Sequence, residues 1–396
     1  MNKLLEGLTV LEPAGVLAGP LVGMFLAEHG ARVIKIEPAG RGDVTRTWKV
    51  AGEPENTTVS SYFSCANWGK ESVALNLKSE VGREIFHQLV SKSDIVLTSY
   101  KAGDAEKLQA DYPTLRELKA NLIYGAITGF GDDDPRPAFD AVIQAESGFM
   151  YMNGTTESGP LKMPVALMDV LAAHHLKEKI LMALMKRERD GEGAYLSVSL
   201  MEAALASLAN QGSGWLVAGA EPQNLGSEHP HIYPYGSVFQ TGDGVRVLLA
   251  IGNDAQFRLM MEILGYEDIS DDPKFSTNPE RSANRDELRT VLSEIFQTQQ
   301  DGKAMIESFK SRRIPCGEIL PVSAAVERYG NTGLFTGTHP DYGTIKGIPT
   351  GNTESAEWMT PPPELGSSTK RVLNETLGIS MTKLEELQNS GTIAAR

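Results

Sequence analysis

Along the first half of the chain, short unbroken apolar blocks alternate with stripes of helical period. LTVLEP (8–13) predicts a buried strand, PLVGMFLAEHG (20–30) a helix closed by Gly30, and ARVIKIE (31–37) a second strand. SVALNL (72–77), a helix over 79–92 and SDIVLTS (93–99) repeat the unit, and LIYGAITGFG (122–131) ends a further strand in a glycine-rich turn. Such alternation predicts an α/β fold, a parallel sheet with helices on both faces. Ligands of such sheets sit beyond the carboxyl ends of the strands, here the turns near 14–20, 38–43, 98–103 and 129–140. From Asp169 to about Ala220 the pattern reads as helical. VRVLLAIGN (245–253) then starts a different one: a strand, a helix to Gly265, the loop DDPKFSTNPERSANR (271–285), another helix and RRIPCGEILPV (312–322). That block predicts a smaller second domain. The tail returns to short strands, the proline-rich MTPPPELG (359–366) and a polar helix.

Composition narrows the functional classes. With 41% hydrophobic and 22% charged residues among 396, the chain is ordinary globular protein. No apolar run reaches membrane-spanning length, and the opening MNKLLEGLTVLEP breaks on Gly and Pro before a signal core forms, so a cytoplasmic protein is expected. A net charge of −14 argues against a nucleic-acid partner but leaves room for a small anion held by local lysines. Cys65 and Cys316 are isolated, and the seven histidines show no ligand spacing, so no metal is expected. GxGxxG, Walker A, GxSxG and HExxH motifs are all missing.

One carboxylate stands out. Asp169 precedes the apolar positions Val170, Leu171, Ala173, Ile180, Leu181 and Leu184, in a helix that ends in KRERDG. It therefore sits at a helix N-terminus, where it can serve as an N-cap. The unpaired NH groups there would also keep it ionised, as a nucleophile requires, and spacing alone leaves both roles open.

Eight blocks in order resemble the class III CoA-transferases, the CaiB/BaiF family. They are AGVLAGPLVGMFLAEHGARVIKIEPAGRGD (14–43), ESVALNLKSEVGREIFHQLVSKSDIVLTSYKAG (71–103), AITGFG (126–131), FDAVIQAESGFM (139–150), the Asp169 block, HPHIYPYG (229–236), DPKF with NPERSANRDEL (272–288), and PPPELG (361–366). The resemblance implies a Rossmann-like large domain, 1–222 with 331–396, a smaller α+β domain, 223–330, and an interlocked homodimer. It also implies that Asp169 is the nucleophile, attacking an acyl-CoA to form an aspartyl anhydride and then an aspartyl-CoA thioester. No permanently bound cofactor is implied, since the coenzyme A thioester is itself a substrate.

By position in the family motifs, Val16, Leu17 and Ala18 would line the pantetheine and nucleotide groove. Leu75 and Tyr100 would contact the adenine region, Ser99 stands where asparagine is frequent, and Lys78 and Lys107 would pair with phosphates, although solvated surface is the plainer reading of those lysines. Pro38 replaces an arginine found in some members, with Arg41 as substitute. Glu146 is expected to be catalytic or structural, and His229 with Pro230 to form a lid or oxyanion loop. Phe139 stands where the racemase branch carries a histidine, which disfavours an acyl-CoA racemase; a non-catalytic acyl-CoA-binding protein is the other alternative. Leu17 replaces the glutamine of oxalate-linked members, so the expected donor is succinyl-CoA and the expected acceptor a short dicarboxylate.

Overall fold

A computed structural model describes residues 3–330, 333–351 and 357–395; positions 331–332, 352–356 and 396 of the expected large domain lie outside them. Contacts divide the chain into two units, one of residues 1–147, 163–212 and 329–396, the other of 148–162 and 213–328.

The first unit is built on a seven-stranded sheet. Its strands are β1 (Thr9–Glu12), β2 (Arg32–Glu37), β3 (Lys70–Leu75), β4 (Ile95–Thr98), β5 (Ile123–Thr128), β6 (Ala194–Ser199) and β7 (Ile393–Ala394), in the order β7-β3-β2-β1-β4-β5-β6. All neighbours are parallel except β7 and β3, which pair antiparallel with Ile393 opposite Leu75. The sheet is thus mixed rather than wholly parallel: the tail folds back and covers the open edge of β3. β6 is also a correction, because the pattern from Asp169 to about Ala220 reads as helical, with a stop at KRERDG but no strand after it. The break at Gly191 and Gly193, followed by the alternating AYLSVS, directs the chain into the sheet beside β5.

Helices α1 (Ala18–Glu28), α2 (Glu80–Ser91), α3 (Tyr112–Leu118), α4 (Asp140–Glu146), α5 (Leu167–Asp190), α6 (Leu200–Ala206), α7 (Thr369–Leu377) and α8 (Met381–Asn389) clothe this sheet. Ser79 and Asp111 cap α2 and α3 through backbone NH groups of the first turn. α5 packs on α1, β5 and β6, and it stops at Gly191, whose φ of 72° is left-handed. Ile36, Val73, Phe86, Val96, Leu373 and Leu384 belong to one continuous core. None of the described helices is long and apolar enough to cross a membrane.

The second unit has a three-stranded antiparallel sheet, with Arg246–Ala250 between Tyr235–Gln240 and Cys316–Glu318. Helices Asp254–Leu264, Arg285–Thr298 and Gly302–Ser311 share a core with it, including Phe257, Met260, Phe296 and Phe309. The expected loop 271–285 contains a helix, Asn278–Ala283. Its buried Arg281 donates to the carbonyls of Tyr233 and Phe275 and pairs with Asp254, which accounts for order where polar composition suggested none.

Six charged groups lie beneath the β1–α1 turn. Lys70 Nζ is 2.7 and 2.8 Å from the two Glu12 oxygens. Lys35 Nζ sits 3.3 Å from Glu12 and 3.1 Å from Asp43, and Arg46 grips Glu37 with two bonds of 2.6 and 2.7 Å. Three acids face three bases, all buried. A Cβ added to Gly23 of α1 would fall 1.6 Å from Glu12 Oε2, so only glycine lets the helix lie this close. Burial alone would raise the Glu37 and Asp43 carboxyls. Arg46 with Lys35 and Ser72 outweighs this for Glu37, and Lys35 with Thr45 for Asp43, holding both below the usual range.

Both carboxylates therefore stabilise the fold above the ordinary carboxylate pKa, and this contribution is lost as pH falls through their depressed values. Arg46→Met should leave Glu37 charged and unpaired, costing about 3 to 5 kcal/mol in denaturant titrations at pH 7. The deficit should shrink on acidification as Glu37 takes up a proton; a constant deficit down to pH 4 would contradict the assignment.

Candidate active site

The strand order reverses between β1 and β4: the chain runs from β1 to β2 and β3 on one side, and through β4, β5 and β6 on the other. Loops leaving the carboxyl ends of adjacent strands part at such a point and open a crevice. A cavity of about 230 Å³ lies there, lined by the turns after β1, β4 and β5 and by Phe139, Asp140 and Asp169. Asp169 belongs to α5 and Asp140 to α4.

The first turn is strained. Val16 has a φ of 68°, an unfavourable region for a β-branched residue, and it leads into α1 through Leu17 and Ala18, both on the cavity wall. Gly15 N donates to Ser99 Oγ at 3.0 Å, joining the turn after β1 to the turn after β4.

Asp169 is not the N-cap of its helix. Ala166 holds that position without a side-chain cap, and Asp169 lies one turn inside. The capping is done from outside: Met168 N donates to Asp140 Oδ1 at 2.8 Å, and Gln144 Nε2 donates to Asp140 Oδ2 at 2.6 Å. The Asp169 carboxylate makes no hydrogen bond or ion pair with any described residue. Burial, then the Asp140 charge, pushes its carboxyl up to about 7. The expectation that helix NH groups keep it strongly ionised is thereby corrected, since desolvation wins over the helix end. A half-buried carboxylate of that basicity is a better nucleophile than an ordinary aspartate.

Seven of the residues singled out in the sequence line this cavity: Val16, Leu17, Ala18, Ser99, Tyr100, Phe139 and Asp169. Glu146 does not; it is exposed at the end of α4, 3.5 Å from the Arg136 guanidinium. Leu75 is packed in the core and paired with Ile393, so its side chain offers no ligand surface. Lys78 is exposed after β3, and Lys107 is exposed and bound to Asp104 at 2.9 Å, in line with the plainer reading of both lysines. His229 belongs to the second unit, where its Nδ1 accepts from His231 N and its own amide donates to Tyr235 O.

Two residues near the cavity escaped sequence reading. Arg136 lines it, stacked over the Phe130 ring at 3.7 Å and paired with Asp134 at 2.8 Å. The Tyr62 phenol is pushed up to about 12, by burial and then by the charges of Asp169, Cys65, Asp140 and Asp43, so it remains a neutral donor. Nothing in VSSYFSCAN marks that tyrosine, because only folding sets it among acids. His339, Asp341 and Glu364 bring ligand atoms within 4.8 Å of one another. There, His339 Nδ1 accepts from Asp341 N, and its Nε2 lies 3.2 Å from Glu364 Oε1.

A family model described as CoA-transferase family III matches residues 5–369. A succinate–glutarate CoA-transferase of Agrobacterium fabrum is 35% identical over 394 residues, covering 96% of this chain and 97% of its own. An acetyl-CoA:oxalate CoA-transferase of Acetobacter aceti is also 35% identical, over 81% of this chain and 82% of that one. The crystal structure of a CaiB/BaiF family protein from Brucella suis superimposes with a TM-score of 0.83 at 31% identity, covering 95% of this chain and all of the other.

The raised Asp169 carboxyl predicts an acid limb near pH 7 for any reaction in which it attacks as the anion. Asp140→Asn removes the neighbouring charge and should shift that limb to lower pH, readable in the pH profile of kcat/KM. A shift to higher pH would show that the Asp140 charge does not act on Asp169.

Proposed function

Because the chain belongs to CoA-transferase family III, and so is an enzyme that exchanges coenzyme A between acids, we propose that Asp169 is its nucleophile. The donor we propose is succinyl-CoA and the acceptor a short dicarboxylate. The observation that carries the reading is the unpartnered, half-buried Asp169 carboxylate in the switch-point cavity.

In the proposed sequence the Asp169 carboxylate attacks the thioester carbonyl. The carbon–sulfur bond breaks, and CoA leaves as the thiolate with a mixed anhydride on Asp169. The thiolate then attacks the aspartyl carbonyl and expels the donor carboxylate, leaving an aspartyl-CoA thioester. The acceptor carboxylate attacks that thioester and releases the thiolate once more. Finally the thiolate attacks the acceptor acyl carbon of the new anhydride, the Asp169 carboxylate leaves, and the new acyl-CoA departs. No step gains or loses protons overall, and none calls on a metal, flavin or nicotinamide. Each tetrahedral stage needs a hydrogen-bond donor, a role open to the Tyr62 phenol.

The wall formed by Val16, Leu17, Ala18, Ser99 and Tyr100 suits the pantetheine arm. Lys78 and Lys107 are assigned to the phosphate end; Lys107 would have to exchange Asp104 for phosphate. For the acceptor, the apolar Leu17 is a poor neighbour for the second carboxylate of oxalate, which follows its first directly. Succinate and glutarate carry theirs farther out, within the charge of Arg136. The succinate–glutarate relative supports this choice, and the oxalate relative supplies the competing acceptor to be tested beside it.

Phe139 argues against the racemase alternative, since a phenyl ring on the cavity wall accepts no proton. We further propose a homodimer. Met182 and Met185 of α5 and Trp215, Leu216 and Val217 of the Ala209–Ala218 helix are exposed apolar groups that a second copy would cover. A cytoplasmic setting agrees with the free Cys65 and Cys316.

Brief mixing with succinyl-CoA should add acyl or CoA mass to the protein, removable by hydroxylamine and mapping to Asp169. Asp169→Ala should still bind CoA while losing at least about a thousandfold in kcat. Tight CoA binding without any adduct or exchange would favour a non-catalytic binding protein instead.

A further inference from the structure

The strained turn between β1 and α1 is held by three side chains from three parts of the sheet. Lys35 of β2 donates to Ala14 O at 2.8 Å. Ser99, beyond β4, accepts from Gly15 N at 3.0 Å. Asp43, six residues beyond β2, accepts from Val16 N, its two oxygens lying at 3.4 and 3.2 Å. Ala14, Gly15 and Val16 are thus each tied to a side chain through the backbone, and Lys35 and Asp43 are tied to each other at 3.1 Å.

Asp43 is the member of this clamp that no neutral side chain can replace. Everything its carboxylate touches is a donor: Lys35 Nζ, Val16 N, and the amide and hydroxyl of Thr45. An asparagine there would turn an NH₂ group towards one of them. The carboxylate also lies close against the turn, for a Cβ added to Gly15 would be 3.4 Å from Asp43 Oδ2. Val16, left to itself, favours negative φ, and a return to that region would swing Leu17 and Ala18 off the cavity wall.

We propose that Asp43 is a positioning residue for CoA transfer: its buried carboxylate holds Val16 left-handed and so sets the Val16–Ala18 wall against the bound acyl-CoA. The inference rests on the transferase reading above and deepens it. Asp43 touches no reacting atom; it acts through Val16, on a wall that meets donor thioester and transition state alike, so its loss is felt mainly in binding.

The test is steady-state kinetics on Asp43→Asn, alone and combined with Val16→Gly. Asp43→Asn should raise KM for succinyl-CoA by at least about tenfold while kcat stays within about threefold. Glycine adopts positive φ without penalty, so adding Val16→Gly should recover at least about threefold in kcat/KM over Asp43→Asn alone. A merely structural role for Asp43 predicts no such recovery. An unchanged KM, a fall in kcat alone, or no recovery in the double variant overturns the proposal. Should Asp43→Asn fail to fold, Asp43→Glu keeps the charge beside Lys35 while moving its oxygens off the Val16 amide. The same KM-led loss is expected there, and a wild-type KM overturns the proposal. Wild-type protein that exchanges no CoA with any acyl-CoA would sink the transferase reading itself, whereas normal wild-type turnover with unaltered Asp43 variants sinks only this inference.

Discussion

Lys35 is the hinge on which the first unit turns. Its ammonium, buried under the sheet's switch point, touches Glu12, Asp43 and the Ala14 carbonyl at once. Burial works against that charge, yet the surrounding carboxylates of Glu12, Asp43 and Glu37 raise its pKa above the ordinary lysine value. A buried ion pair adds little net stability compared with apolar packing, but breaking one is costly. What the arrangement supplies is definition: β1, β2, the turn before α1 and the loop after β2 share one set of bonds. Each of them must be in place for the others to be satisfied.

The site uses the opposite device. Asp140 takes one bond from Met168 N and one from Gln144, while the carboxylate of Asp169, one position beyond Met168, takes none from any described residue. One carboxylate thus does the capping that sequence spacing suggested for the other, which leaves the second free for chemistry. Leaving it so has a thermodynamic sign. An acid whose folded pKa is raised binds its proton more tightly folded than unfolded, and folding stability falls as pH rises from the unfolded value to about 7. The proposed nucleophile is carried at a cost to the fold that the paired carboxylates nearby do not incur.

Much of this was legible in sequence, and the exceptions have identifiable causes. Strands β1 to β5 are apolar blocks bounded by Gly or polar turns, and local pattern is enough to find them. β7 is only two residues long, β6 follows directly on a long helix, and both are identified by partners far away in sequence, β3 and β5, so local pattern passes over them. Within the cavity, the turns near 14–20 and 98–103 follow from the strand ends that carry them, while the individual residues from Val16 to Ala18 and Ser99 to Tyr100 follow from the family resemblance. Tyr62 and Arg136 were not, since each matters through neighbours that only tertiary structure assembles. Leu75, assigned to the adenine region by its position in the family motifs, is a core residue whose strand pairs with the tail at Ile393, a burial that only tertiary structure reveals.

That covering strand also bears on how the chain comes to be folded. β3 finds its edge partner only at Ile393, roughly 300 residues later, with the whole second unit between them. During synthesis the second unit, whose strands and helices are close in sequence, can close its own core while β3 still has a bare edge. The enzyme's own inserted segment therefore delays completion of the sheet that bears the candidate site, and a nascent chain held at that stage is the form most exposed to pairing with the wrong strand.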